Sequence, residues 1–227
     1  MENKKITFST FIWPGIVCGL MILSHLNNFY FQSNNNWDEL SIFKLNTADY
    51  FFDALPGILF SPFAHGNNEH LINNVVPLFF LMCLIRYVFD KFAYILFLLS
   101  YFLTGLLIWR FIPNHVVIGA SGVLYAMVSF LFFSGLIRGN RELWGYSLLI
   151  VFLYGSMVWG VFPFSVEEDV SWQGHLMGSI VGFVLALVFR EIGPQKKIYD
   201  WEDDEDDEYD EGDKNNKAIK VNYHYRK

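Results

Sequence analysis

Five polar residues stand out in an otherwise apolar chain: His70, Asn74, Ser121, Tyr125 and His175. A serine hydroxyl is a weak nucleophile until a base removes its proton, and neutral imidazole is a suitable base near neutral pH. Attack on a carbonyl leaves an oxyanion that needs preorganised donors. An Asn amide, a His N–H and a backbone N–H at a helix start can supply them. Asn74, His70 and the Ser121 backbone are those groups. His70 and Asn74 are four residues apart and share a helical face, as do Ser121 and Tyr125. No Asp or Glu lies in the apolar runs that carry these residues. The available chemistry is therefore acyl transfer by a Ser–His dyad, with Ser121 as nucleophile and His175 as general base. Each residue also has a plainer reading. A serine in an apolar helix is most often a packing residue, His175 can bond a neighbouring helix, and Asn74 can tie two helices together. Polar groups inside apolar spans are costly, so it is their conjunction that points to function.

The elements that must position them are membrane spans. The 227-residue chain is 53% hydrophobic and 19% aromatic with only 17% charged residues, too apolar for an ordinary soluble domain. Six runs approach the roughly 20 apolar residues that a crossing needs. They are Ile6–Phe31, Leu71–Phe89, Phe92–Trp109, Val116–Ile137, Leu143–Phe162 and Gly174–Phe189. The first has a basic start (Lys4, Lys5) but is long and lacks a small-residue cleavage site, so it reads as an uncleaved span. The expected fold is an all-α, six-transmembrane-helix bundle. With the N-terminus in the cytoplasm, Lys44 and Arg110 are the only basic residues outside, so both termini are expected to be cytoplasmic. Spans two, four and six then run inward. Their first turns bring His70, Asn74, Ser121, Tyr125 and His175 to one level near the outer side.

Small residues predict which spans touch. Gly174, Gly178, Gly182 and Ala186 form a stripe on span six, and Gly122 and Ala126 answer it on span four. Such stripes let membrane helices approach closely, which would set His175 against Ser121. The glycines beside the serine, Gly119 and Gly122, leave room for that approach and an accessible backbone.

The remaining segments carry less chemistry. The connection from Gln32 to Glu69 begins polar and becomes apolar at Tyr50–Phe60, so part of it is expected at the outer interface or as a cap on the bundle. Eleven of the 23 acids fall between Asp200 and Asp213, which leaves 12 acids against 16 basic residues. That block reads as a solvated, disordered cytoplasmic tail, residues 193–227, following a membrane domain of residues 1–192. It argues against nucleic acid as a partner. Cys18 and Cys83 read as small core residues. No metal-ligand spacing appears, and neither metal nor cofactor is expected. His25, His115 and His224 receive no catalytic role.

Three motifs make the chain resemble the rhomboid family of intramembrane serine proteases. Gly119-Ala-Ser121-Gly122 is similar to the family's Gly-x-Ser-Gly motif, whose serine is the nucleophile. Gly174-His175 through Gly178 and Gly182 is similar to its His-x-x-Gly-x-x-x-Gly segment, whose histidine is the base. Phe63-Ala-His65 followed by His70 and Asn74 is similar to its Phe-x-His…His-x-x-x-Asn segment, whose second histidine and asparagine help form the oxyanion site. The resemblance covers about residues 6–192. It implies that Tyr125 packs on the catalytic imidazole, that His65 is structural, and that the first loop is partly embedded in the bilayer. The family's Trp-Arg pair in that loop is replaced here by Trp37-Asp38.

The function expected from these features is hydrolysis of peptide bonds in or near transmembrane helices of membrane-protein substrates. The lipid bilayer and those substrates are the expected partners, and a bacterial inner membrane is the expected location. Two alternatives are a non-catalytic rhomboid-like protein that binds membrane helices, and a small transporter. The retained serine and histidine weigh against the first. The one-sided polar groups and the absence of broken repeat helices weigh against the second.

Overall fold

The computed structural model describes residues 6–33, 43–154, 159–163 and 171–195. Seven helices lie among them: α1 (Ser9–Ser33), α2 (Phe51–Phe60), α3 (Asn68–Phe89), α4 (Phe92–Phe111), α5 (Ser121–Arg138), α6 (Arg141–Tyr154) and α7 (Trp172–Val188). A 3-10 turn (Ser61–Phe63) and two short strands, β1 (Leu45–Asn46) and β2 (Val116–Val117), are also described. The acidic block from Asp200 to Asp213 and the Trp37-Asp38 pair lie outside the described residues.

Four helices are long and apolar enough to cross a membrane: Ser9–Asn27 within α1, and all of α3, α4 and α5. The other two expected spans are α6, with 14 residues, and α7, with 17. The outward faces are apolar as well. Ile95, Leu98 and Phe102 of α4 and Phe183, Val184 and Val188 of α7 are exposed at the surface of the bundle. A helix satisfies its backbone internally, so such a surface belongs in lipid. The protein is an integral membrane protein.

Helix α5 is the centre, packed against α3, α4, α6 and most extensively α7. Met127, Phe130 and Leu131 of α5 are fully buried, against Met82 and Ile85 of α3 and Leu96 of α4. The α5–α7 contact is backbone on backbone. A Cβ placed on Gly178 would strike the Gly122 carbonyl, and one on Gly182 would strike the Ala126 carbonyl. Ser129 Oγ adds a hydrogen bond to the Ser179 carbonyl at 2.7 Å. At the opposite end of α5, Arg138 caps α7. Its guanidinium donates to the carbonyls of Phe189 at 2.8 Å and Arg190 at 2.9 Å. Asn140 caps the start of α6 and donates to the Gln195 carbonyl at 2.6 Å.

One sequence expectation needs correction. The fourth span was expected to begin at Val116, but Val116 and Val117 are extended and pair antiparallel with Asn46 and Leu45. The helix waits until Ser121 because Gly119 takes a positive φ of 95°, which no helix accommodates. The apolar stretch after Tyr50, expected at the outer interface or as a cap on the bundle, folds as a helix. α2 buries Ala54, Gly57 and Ile58 and leaves Phe52 and Phe60 exposed, as is Tyr50 just before it. Gly57 is required there, since a Cβ would lie 2.6 Å from Leu45 Cα.

Candidate active site

Three helix N-termini build the site. α3 starts at Asn68, capped by Asn67, whose side-chain oxygen accepts from the His70 amide at 2.7 Å. α7 starts at Trp172, capped by Ser171, whose hydroxyl accepts from the Gly174 amide at 3.2 Å. α5 starts on Ser121 itself. Such first turns leave amide N–H groups without an intrahelical acceptor, which suits them to a developing negative charge.

Ser121 Oγ lies 2.9 Å from His175 Nε2. The other ring nitrogen, Nδ1, lies 2.9 Å from the carbonyl oxygen of Gly160. A carbonyl can only accept, so Nδ1 carries the proton of the neutral ring. Nε2 is then the lone pair that faces the serine hydroxyl, as a general base requires. The Tyr125 ring stacks on the same imidazole, with centroids 4.1 Å apart and an interplanar angle of 11°. His175 is buried, and Ser121 is partly open.

The second group adjoins the first. His70 faces Gly119, where a Cβ would lie 2.6 Å from His70 Nε2. Gly119 thus answers both a positive φ and an imidazole pressed against its Cα. Its amide is held by the Ser61 carbonyl at 2.8 Å. Asn74 is buried and donates from Nδ2 to the His70 carbonyl at 2.7 Å. An amide nitrogen has two hydrogens, so one remains for another acceptor.

His65 packs edge-on against the His70 ring at 5.0 Å. Burial pushes its pKa from 6.5 down to about 4, and His70 and His25 add to the depression while the Phe63 backbone opposes it. His65 is therefore a neutral, packed ring at physiological pH.

The structure brings Ser121, His175 and Tyr125 into direct contact, sets His70 against Gly119 with Asn74 bound to its backbone, and packs Gly122 on Gly178. Two further described histidines were expected to have no catalytic role. His115 is exposed, with Nδ1 2.7 Å from the Pro113 carbonyl. His25 is buried and bonds Asn68. The carbonyls of Gly160 and Ser61 carried no sequence signal, since any residue type offers one, whereas Ser171 just before an apolar helical run is a cap residue by type. Among the described residues no group of three His, Cys, Asp or Glu is arranged to hold a metal ion.

Comparisons with known proteins agree with the motifs. A family model described as the Rhomboid domain matches residues 54–192. Uncharacterized proteins of Mycobacterium tuberculosis and Mycobacterium bovis are each 33% identical over 159 residues, covering 64% of this chain and 62% of the relative. One of Mycobacterium leprae is 34% identical over 155 residues, covering 64% of this chain and 59% of its own. The match thus spans about three fifths of the length of these relatives. With the family's domain matched from α2 to the end of α7, this chain belongs to the rhomboid family, whose members are generally intramembrane serine proteases.

Proposed function

We propose that the protein is a serine endopeptidase that cleaves membrane-protein substrates in or near their transmembrane helices. The 2.9 Å approach of Ser121 Oγ to a correctly tautomeric His175 Nε2 carries the proposal. In the first half-reaction, Oγ bonds to the scissile carbonyl carbon while its proton passes to Nε2. The negative charge moves to the carbonyl oxygen, where the Ser121 amide, the remaining Asn74 N–H and His70 support it. Collapse breaks the C–N bond, and the imidazolium returns its proton to the leaving amine. In the second half-reaction, water attacks the Ser121 ester with the same base, releasing the acid and restoring the hydroxyl.

The catalytic body comprises residues 1–192, with six crossings that include α6 and α7. Both termini lie in the cytoplasm, the site lies toward the outer side, and the location is a bacterial inner membrane. A substrate helix must unwind to expose a carbonyl, so Gly or Pro near the cut speeds cleavage. The test is cleavage of a tagged, Gly-containing transmembrane substrate by purified protein in lipid vesicles. Ser121→Ala and His175→Ala should each lose at least about 10³-fold in rate. Persistent cleavage by Ser121→Ala would refute the assignment. A wild-type protein that neither cleaves nor reacts with a serine-directed probe would favour a binding protein instead.

A further inference from the structure

We infer that His25 of α1 is a positioning residue for the oxyanion site, holding the first turn of α3 in place through Asn68. The inference rests on the protease reading above, because it concerns how His70 and Asn74 are set against Ser121.

α1 faces lipid along Ile12, Ile16, Leu20, Leu23 and Leu26, all exposed at the bundle surface. His25 is on the other side, 6% exposed. Burying an imidazole costs free energy unless it is bonded, and in an apolar span a leucine would avoid the cost. The observed bond runs from His25 Nε2 to Asn68 Oδ1 at 2.9 Å. An amide oxygen only accepts, so Nε2 donates. His25 Nδ1 is then an acceptor, and among the described residues it has no partner. Among the described residues the ring makes a single hydrogen bond, and it goes to the first residue of α3.

From there the chain of contacts is short. Asn67 caps the helix on the His70 amide, and Asn74 bonds the His70 carbonyl. The His70 ring presses on Gly119, two residues before Ser121. α3 packs more extensively on α1 than on α5. Cys18 Sγ lies against the Val75 carbonyl at 3.7 Å, and Phe11 stacks on Phe79 at 6.5 Å. The position of the α3 first turn relative to the serine is therefore referenced to α1, and His25–Asn68 is its polar fixing point at the site end. Displacements near 1 Å can cost as much as about 10²-fold in rate.

The experiment compares wild type, His25→Leu, His25→Gln, Asn74→Ala and the His25→Leu/Asn74→Ala double variant in the vesicle assay, with Ser121→Ala as blank. His25→Leu should lower kcat about tenfold and leave KM within about twofold, since orientation rather than binding is lost. His25→Gln, which keeps a donor, should recover most of the rate. In the Asn74→Ala background, His25→Leu should cost less than it does in the wild type, because one of the two positioned groups is already gone. Independent, multiplicative effects in that cycle would overturn the inference. Amide hydrogen exchange in the same vesicles gives a second readout. His25→Leu should speed exchange over residues 68–74 and leave residues 176–188 unchanged. Unchanged exchange at 68–74, or an equal rise in both segments, would also overturn it. If the wild type itself does not cleave, the protease reading fails, and exchange alone decides whether His25 holds the turn.

Discussion

At the residue scale, the site depends on how rings are held. Tyr125 covers one face of His175 at 4.1 Å. Phenylalanine keeps that stacking surface and alanine does not. Tyr125→Phe should therefore retain more of the cleavage rate than Tyr125→Ala, which should fall about tenfold as the imidazole gains freedom. Steady-state kinetics on the vesicle assay checks the order. His65 supplies a pH prediction. Its folded pKa of about 4 lies below the ordinary 6.5 because burial disfavours the cation. A base with a depressed folded pKa gives full stability above the unfolded value. Its contribution is lost as pH falls from about 6.5 toward about 4. Thermal unfolding in detergent should show Tm falling across that window, and His65→Gln should flatten the fall. An unchanged slope in the variant would show that other groups govern the acid limb.

At the element scale, the contact between α5 and α7 holds serine and histidine together, and glycine permits it. Gly178→Val should separate the two helices, lower Tm and reduce cleavage, because its side chain would occupy the space of the Gly122 carbonyl. Gly15→Ala is the control. A Cβ at Gly15 meets nothing within 4 Å, and helix propensity favours alanine, so Tm should hold or rise slightly. This contact was legible in the sequence because a four-residue glycine stripe states its own geometry. The β1–β2 pair was not. It joins segments about seventy residues apart, and two valines between polar turns look like the start of an apolar helix. α2 was legible only as an apolar anomaly, since Pro56 and Gly57 argue against a helix until β1 and α4 pack against it. The Gly160 carbonyl left no trace, because a backbone acceptor has no residue type.

At the scale of the whole molecule, the proposed topology has a direct test. Ala48 follows β1 at the site end and Lys91 lies in the turn between α3 and α4; both are exposed. Cys18 and Cys83 are buried, so native thiols should not report. In intact cells a membrane-impermeant maleimide should label Ala48→Cys. Lys91→Cys should label only after the membrane is opened. The reverse pattern would invert the chain and put the serine on the cytoplasmic side. In the sequence, orientation was legible through the lysine and arginine counts.

The carbonyl behind the imidazole has one further consequence. A carboxylate in that place would be a permanent ion in surroundings of low dielectric constant, with a desolvation cost of several kcal/mol. Gly160 contributes a dipole instead, so the resting assembly of hydroxyl, imidazole and peptide oxygen is electroneutral. On the proposed reaction, the imidazolium that appears during each turnover meets, among the described residues, the partial negative charge of a peptide oxygen at Nδ1. A partial charge stabilises such a cation less than a carboxylate in the same place would. The arrangement orients the imidazole without placing a fixed negative charge in surroundings of low dielectric constant.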